Sequence, residues 1–208
     1  MTPSNLQNSI STIIEHIAQQ GYAVIEHFMS PEETHVMAQQ AKALQRTGEM
    51  HRATTGVAKL ETPALRGDFI HWIEANEARS TETVYLSAMA ELQQSINQAL
   101  FLGLFELESH FAIYPPGAGY QKHLDRLIGK EERKVSCILY LNDNWNSSDG
   151  GALRMYLDKK DDSRYIDISP HGGTLVLFLS SDFLHEVLPA QRERMSVTGW
   201  FKTRSLNN

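Results

Sequence analysis

The chain has 208 residues, which suits a single domain over residues 1–208 with a substantial buried core. Its hydrophobic fraction is 41% and its formal net charge is −6, which argues against binding to nucleic acid or to an anionic membrane. The one cysteine, Cys137, excludes an intramolecular disulfide, and the N-terminal stretch lacks the pattern of a secretion signal. We therefore expect a cytoplasmic protein without a nucleic-acid or membrane partner.

Helical signals dominate the first half of the chain. Isoleucines at helical spacing predict an amphipathic helix that ends near Gly21, and a short strand, Y-A-V-I-E-H-F, follows it. Ser30 precedes a proline and has a glutamate three residues later, which predicts a capped helix through about Leu44. A further apolar face predicts a third helix from about Thr81 to Leu100.

Short apolar or alternating runs separated by turn residues begin at Glu106. Examples are V-S-C-I-L-Y-L and T-L-V-L-F-L, with N-S-S-D-G-G and S-P-H-G-G among the turns between the runs. The pattern predicts a β-barrel or β-sandwich core over residues 105–204. Residues 1–104 are predicted to be mostly helical support with entrance strands, packed against that core.

A metal site is predicted from three residues of the second half. His123 and Asp125 are two positions apart, so both side chains point to one side if the backbone is extended. His185 follows the apolar run T-L-V-L-F-L by a short turn. Two histidines and one carboxylate on one face of a metal leave open positions, an arrangement suited to ferrous iron in oxygenases.

Two other interpretations of these residues remain open at this point. His123 and Asp125 are also compatible with a surface ion pair, and His185 with a structural histidine at a strand edge. Zinc accepts the same ligands, and a zinc hydrolase needs a carboxylate as general base. The nearest candidate, Glu186, is adjacent to His185 and would face the opposite side of a strand, which disfavours a hydrolase.

An anion pocket is predicted beside the metal. In R-M-S-V-T-G-W, Arg194, Ser196, Thr198 and Trp200 share one face of a strand, and no acidic residue occupies the nearby strand positions. A buried guanidinium requires an anionic partner, and a small dicarboxylate would supply one. Tyr140 would add a hydroxyl group to the same carboxylate.

Five blocks together resemble the 2-oxoglutarate- and iron-dependent dioxygenases, and more narrowly the prolyl hydroxylase domain proteins related to the oxygen-sensing enzymes of animals. The resemblance covers residues from about 65 to 201. Its carriers are R-G-D-F-I-H-W-I-E at 66–74, Y-P-P-G-A-G-Y-Q-K-H-L-D at 114–125, R-K-V-S-C-I-L-Y-L-N at 133–142, W-N-S-S-D-G-G-A-L-R-M-Y at 145–156, and H-E-V-L-P-A at 185–190 followed by R-M-S-V-T-G-W.

The resemblance implies a role for each residue that matches the pattern. It implies iron ligands at His123, Asp125 and His185. It implies a 2-oxoglutarate site in which Arg194 and Tyr140 hold the distal carboxylate, Tyr114 and Thr198 surround the chelating end, and Trp200 lines the pocket. It also implies substrate contacts by Arg66, Asp68 and Arg133; the structural alternative for the last two is an ion pair between Asp68 and Arg133.

The implied fold is a double-stranded β-helix braced by helices. The implied reaction is hydroxylation of a prolyl residue in a protein with release of succinate and carbon dioxide. Its cofactors are Fe(II), 2-oxoglutarate and O2, with ascorbate as a further candidate. Similar bacterial proteins suggest a translation elongation factor as the substrate.

Alternative functions are an oxygenase acting on a free amino acid or other small molecule, such as a nucleobase lesion, and a noncatalytic metal-binding barrel acting as a sensor. Two departures from the animal enzymes bear on the substrate: the Tyr114 to His123 spacing is one residue shorter, and the segment 126–133 is one residue longer. A mobile lid is predicted at residues 47–59, which lack clear periodicity.

Overall fold

The computed structural model describes residues 3–54, 66–125 and 132–204. It has three α-helices: α1 (Pro3–Gln20), α2 (Pro31–Arg46) and α3 (Ser80–Leu100). The strands are β1 (Tyr22–Ile25), β2 (His51–Arg52), β3 (Phe69–Trp72), β4 (Leu104–Tyr114), β5 (Tyr120–His123), β6 (Arg133–Tyr140), β7 (Leu153–Tyr156), β8 (Tyr165–Ile168), β9 (Leu175–Leu179), β10 (His185–Val187) and β11 (Arg194–Thr203).

Local sequence signals explain where α1 ends and where α2 begins. α1 stops before Gly21, whose φ of 81° is readily available to glycine. The Ser30 hydroxyl accepts a hydrogen bond from the Glu33 backbone N–H, and the Glu33 carboxylate accepts one from the Ser30 N–H, which completes a capping box at α2. All three predicted helices are therefore confirmed. Among the described helices, none combines the length and apolarity required to cross a bilayer.

Two antiparallel sheets form the β-part. The larger has the strand order β1-β9-β6-β11-β4-β3-β2, and the smaller has the order β5-β10-β7-β8. The helices pack on the outer face of the larger sheet, where alternate residues such as Met195 and Val197 join Ile13, Met89 and Leu92 in the main hydrophobic core. The other face of that sheet looks toward the smaller sheet, with Tyr114, Ile138 and Phe178 in a second cluster. This arrangement confirms the predicted β-core braced by helices.

The predicted lid differs from the structure in one respect. Residues 51–52 form β2, which pairs with β3 at the edge of the larger sheet, so this part of the segment is extended rather than irregular. Residues 55–59 of that segment lie outside the described residues, as do residues 126–131 of the longer segment after Asp125.

Candidate active site

The three predicted metal ligands meet at one end of the smaller sheet. His123 ends β5 and His185 begins β10, and these two residues face each other in the antiparallel register of the two strands. Asp125 lies two residues after the end of β5, so it reaches the site from just beyond the strand. One ligand atom from each side chain lies within 4.8 Å of the others. The surface ion pair weighed above does not fit, because Asp125 and His185 are buried and His123 is largely so.

The two imidazoles are held so that the same nitrogen is free in each. The Nδ1 of His123 lies 2.7 Å from the Gln121 carbonyl oxygen, and the Nδ1 of His185 lies 3.1 Å from the Phe183 carbonyl oxygen. A carbonyl only accepts, so Nδ1 carries the proton in both rings and Nε2 offers a lone pair. Both Nε2 atoms lie 3.6 Å from an oxygen of Asp125, which leaves space for an ion between the three groups.

The pKa shifts of His185 and Asp125 also suit metal ligands. Burial lowers the pKa of His185 to about 4, with the Asp125 charge opposing that shift, so the imidazole stays neutral near pH 7. Burial alone would raise the pKa of Asp125, but His185, His123 and the Ser136 hydroxyl outweigh it and hold that pKa below its usual value. The site therefore presents a neutral His185 nitrogen and an ionised Asp125 carboxylate facing the His123 nitrogen, a donor set that fits Fe(II).

Ser136 orients the carboxylate from the neighbouring strand β6. Its hydroxyl donates to Asp125 Oδ2 at 2.7 Å and lies 2.9 Å from the Ser180 hydroxyl. All of these groups are buried, so water does not compete for the contact. The sequence reasoning missed Ser136, although it shares the strand face of Tyr140 and so had a periodic signal.

Replacing Ser136 with alanine is expected to weaken iron binding by about tenfold, because losing a partner of a ligating carboxylate typically costs that much or more. Equilibrium dialysis with Fe(II) under anaerobic conditions measures the change. Ser181→Ala is the matched control, since Ser181 is half-buried and its hydroxyl bonds to neighbouring Asp182 and to no metal ligand among the described residues. Equal affinity in Ser136→Ala and wild type would contradict the proposed orienting contact.

Arg194 lies on the floor of the cavity that begins at the metal ligands. It is 2% exposed, and its Nε donates to the Gly151 carbonyl oxygen at 2.9 Å. Its Nη2 has no hydrogen-bond partner among the described residues, and neither has the buried Tyr140 hydroxyl. The guanidinium carbon lies 5.1 Å from the Tyr140 ring centroid, so the unused groups are close to each other.

Two unpartnered donors at one end of a cavity fit an anionic acceptor. Burial raises the pKa of Tyr140 to about 12, although Arg194 opposes that shift, so the phenol keeps its proton and can donate it. No ion pair between Arg194 and an acidic side chain forms within the described ranges. A carboxylate would satisfy Nη2 and the phenol together, so the residues present fit the distal carboxylate of 2-oxoglutarate.

Glycine at position 151 allows the Arg194 side chain to approach the backbone closely. Its φ is 70°, a conformation that L side chains rarely adopt, and a Cβ there would lie 2.9 Å from the Ala190 Cβ and 3.4 Å from the Arg194 Cδ. The sequence reasoning treated the pair Gly150 and Gly151 only as turn residues. Its role in receiving Arg194 depends on a long-range approach that local patterns do not reveal.

The cavity extends between these two ends. It is lined by Arg66, Tyr114, Tyr120, His123, Asp125, Ile138, Leu153, His185, Val187, Arg194, Thr198 and Trp200. Tyr114, Thr198 and Trp200 thus border it, whereas Tyr140 lies beside Arg194 and is not among the lining residues. Tyr120, which no sequence argument singled out, stacks on His123 with ring centroids 3.7 Å apart.

Of the predicted substrate residues, Arg66 lines the cavity and Asp68 and Arg133 do not, and the alternative ion pair between Asp68 and Arg133 is wrong. Asp68 instead accepts two hydrogen bonds from Arg66, at 2.7 and 2.9 Å. Arg133 pairs with Glu108 at 2.7 Å and lies 3.6 Å from the Trp200 ring centroid. Sheet register explains the error, because β11 lies between β6 and β4 and brings Arg133 beside Glu108 rather than beside β3.

Glu186 does not reach the metal ligands. Its carboxylate accepts a hydrogen bond from the Tyr156 hydroxyl at 2.6 Å, on the opposite side of β10 from His185. In the part of the chain that the structure describes, the one cluster of three metal-binding side chains is that of His123, Asp125 and His185. A hydrolytic general base at Glu186 is therefore excluded by position.

The sequence profile of the 2OG-Fe(II) oxygenase superfamily matches residues 109–202. Among solved structures, a Pseudomonas putida prolyl-4-hydroxylase is 42% identical and superposes with a TM-score of 0.85, covering 94% of this chain and 100% of that one. A Trichoplax adhaerens prolyl hydroxylase, solved with a hypoxia inducible factor oxygen degradation domain peptide fragment, is 27% identical with a TM-score of 0.86, covering 97% and 94%.

Egl nine homolog 1 of Homo sapiens is 31% identical over 206 residues, which is 94% of this chain and 47% of that protein. This chain therefore spans about half the length of that human relative. The bacterial structure, by contrast, is similar over its whole length. The resemblance that the sequence blocks predicted is confirmed: the chain belongs to the 2OG-Fe(II) oxygenase superfamily.

Proposed function

We propose that this protein is an Fe(II)- and 2-oxoglutarate-dependent dioxygenase that hydroxylates a prolyl residue of a protein substrate. The observation that carries the proposal is a single cavity lined both by the two-histidine, one-carboxylate cluster and by Arg194. The Arg194 Nη2 and the neighbouring Tyr140 hydroxyl have no hydrogen-bond partner among the described residues. The names of the relatives support prolyl hydroxylation in particular, because the Pseudomonas putida and Trichoplax adhaerens structures are named as prolyl hydroxylases.

Each end of the cavity has a distinct task. His123, Asp125 and His185 would hold Fe(II), and Arg194 with Tyr140 would fix the distal carboxylate of 2-oxoglutarate. When bound, the iron and 2-oxoglutarate split dioxygen so that one oxygen atom enters succinate and the other hydroxylates a C–H bond, with release of carbon dioxide. Apolar walls such as Ile138, Leu153 and Val187 exclude water from the reacting atoms.

The charged and aromatic residues expected to contact the substrate are compatible with a peptide. Arg66 and Arg133 are both neutralised by carboxylates. The Tyr120 ring contacts both Arg66 and His123, and the Trp200 ring contacts Arg133 and lines the cavity. Aromatic surfaces of this kind pack well against a prolyl ring. We further propose a translation elongation factor as the protein substrate and the cytoplasm as the location; the acidic net charge of −6 and the single cysteine are compatible with both.

Two measurements test the proposal. Purified iron-loaded protein should convert 2-oxoglutarate to succinate slowly without a substrate, which a noncatalytic sensor barrel would not do. Intact-mass comparison of the elongation factor from cells with and without this gene should show the gain of one oxygen atom on a proline peptide. Absence of succinate formation would contradict the dioxygenase, and an unmodified factor would contradict the choice of substrate.

A further inference from the structure

A tyrosine ring lies flat against the imidazole of the metal ligand His123. The rings of Tyr120 and His123 stack with centroids 3.7 Å apart and an angle of 19° between their planes. The next shortest separation between aromatic rings in the described residues is 4.3 Å. The Arg66 guanidinium carbon lies 5.0 Å from the centroid of the same tyrosine ring, and Asp68 accepts two hydrogen bonds from that guanidinium. The Tyr120 ring therefore contacts both a metal ligand and a paired cation.

An irregularity in β5 places the two rings together. Tyr120 and His123 are three positions apart, so they would face opposite sides of a regular strand. In the register with β10, however, Tyr120 pairs with Val187 and His123 pairs with His185, so β5 advances three residues where β10 advances two. The extra residue turns Tyr120 toward the side of His123, which is a common effect of bulges beside active sites. Alternation along the sequence therefore could not have predicted the stack.

The backbone around Tyr120 is fixed by its neighbours. Tyr120 forms an antiparallel bridge with Arg66, and the Gly67 N–H donates to the Gly119 carbonyl oxygen at 3.0 Å. A Cβ at Gly119 would lie 2.5 Å from the Val187 carbonyl oxygen, so only glycine allows β5 and β10 to approach this closely. The position of the tyrosine ring thus depends on backbone pairing on both sides of β5.

His123 is the more exposed of the two histidine ligands. Its side chain is 18% exposed, against 5% for that of His185. The Nδ1 contact with the Gln121 carbonyl oxygen fixes one point of the His123 ring, but the ring plane can still tilt about that contact. His185 has the Phe178 ring 4.8 Å away in addition to its own Nδ1 contact. The stacked tyrosine supplies the corresponding restraint for His123, because a tilt would press the imidazole into the tyrosine ring.

The stack also suits the charge of a bound metal. An imidazole that donates its Nε2 lone pair to a cation becomes electron-poor, whereas the face of a tyrosine ring is electron-rich. Asp68 offsets the charge of Arg66, so this guanidinium does not cancel the attraction between the two rings. The stacking between Tyr120 and His123 should therefore become stronger when His123 binds a metal.

We propose that Tyr120 is a positioning residue that holds the His123 imidazole in its metal-binding orientation through face-to-face stacking. The inference rests on the proposed function, because it concerns a ligand of the same iron site. It assigns the effect to the Tyr120 ring and not to its hydroxyl group.

Two substitutions separate the ring from the hydroxyl group. Tyr120→Leu removes the stacked ring and keeps apolar bulk, whereas Tyr120→Phe keeps the ring. We expect the Kd for Fe(II), measured by anaerobic equilibrium dialysis, to rise about tenfold in Tyr120→Leu, because outer partners of metal ligands have effects of that size. The Kd in Tyr120→Phe should stay near wild type. A leucine variant with wild-type Kd, or equal weakening in both variants, would overturn the inference.

Tyr165→Leu is the matched control. Tyr165 also has an arginine over its ring, with the Arg154 guanidinium carbon 4.0 Å from the centroid. It lies on β8, at the edge of the smaller sheet opposite β5, and its ring also contacts Tyr156. This variant should bind Fe(II) like the wild type. Weakening equal to that of Tyr120→Leu would show a general loosening of the sheet and would count against a specific role for Tyr120.

A spectroscopic readout without turnover distinguishes positioning from packing. Co(II) accepts the same nitrogen and oxygen ligands, and its visible absorption bands depend on their geometry. At saturating Co(II), we expect these bands to shift in Tyr120→Leu and to keep their wild-type positions in Tyr120→Phe. A role in packing alone would lower the unfolding temperature and leave the bands of the leucine variant unchanged, which would overturn the inference.

The same measurement separates this inference from the proposed function. Wild-type protein that binds Co(II) but forms no succinate with Fe(II) contradicts the proposed function. Shifted Co(II) bands in Tyr120→Leu would still support the positioning role of Tyr120 in that case, because they do not depend on turnover.

Discussion

Asp125→Ala is expected to lower iron affinity and succinate formation by more than about 100-fold, beyond the upper end of losses that follow removal of an outer contact. The carboxylate is the one anionic group among the three ligands, and its two oxygens lie 3.6 Å from the two imidazole Nε2 atoms. Without it the ion keeps only two neutral ligands from this cluster, which do not offset its charge.

Dialysis against Fe(II) and a succinate assay measure the two effects separately. Asp167→Ala is the matched control, because Asp167 is an acidic residue on the outer face of the smaller sheet, where it pairs with Arg154. We expect this control to bind iron like the wild type. Asp125→Ala protein with wild-type rates of succinate formation would refute the metal site, provided that its circular dichroism shows a folded chain.

Arg194→Met is expected to raise the KM for 2-oxoglutarate on the order of 100-fold, since losing one partner of a buried charged pair costs about 3 kcal/mol or more. Iron affinity should stay unchanged, because no metal ligand contacts Arg194 through a hydrogen bond in the described residues. The unliganded variant should also unfold at the same or a higher temperature than the wild type. Methionine removes a buried charge whose Nη2 has no hydrogen-bond partner among the described residues.

Arg192→Met serves as the control for this substitution. Arg192 is two residues away, about half exposed, and bonds to the backbone carbonyls of Asp143 and Asn144. Its loss should leave the KM for 2-oxoglutarate unchanged. An Arg194→Met protein with wild-type KM would remove the basis for placing the cosubstrate at the cavity floor.

Periodicity predicted the parts of the site that lie on single strands. Arg194, Thr198 and Trp200 share one face of β11, and Met195 and Val197 face the helices, as alternation requires. Alternation along one extended strand predicts that His123 and Asp125 point to the same side, whereas β5 ends at His123 and Asp125 lies just beyond it. The two side chains meet through the turn after the strand as well as through alternation.

Contacts between distant strands could not be predicted from local patterns. Arg133 meets Glu108 and Trp200 only because β11 separates β6 from β4, and a sequence does not specify that order directly. Ser136 meets Asp125, and Gly151 receives Arg194, for the same reason. The resemblance predicted the fold, which is confirmed, and the residues expected to hold the cosubstrate, whereas the hydrogen-bond partners of those residues depend on register.

The Arg194 guanidinium and the Tyr140 phenol have no hydrogen-bond partner for Nη2 and the hydroxyl among the described residues, so the stability of the fold should depend on the concentration of 2-oxoglutarate. A diacid that binds only the folded chain stabilises it by about 2.7 kcal/mol when present at roughly 100 times its Kd. The resistance of this protein to proteolysis in the cell should then rise and fall with the supply of 2-oxoglutarate. Nutrient status would set the lifetime of the enzyme as well as its rate.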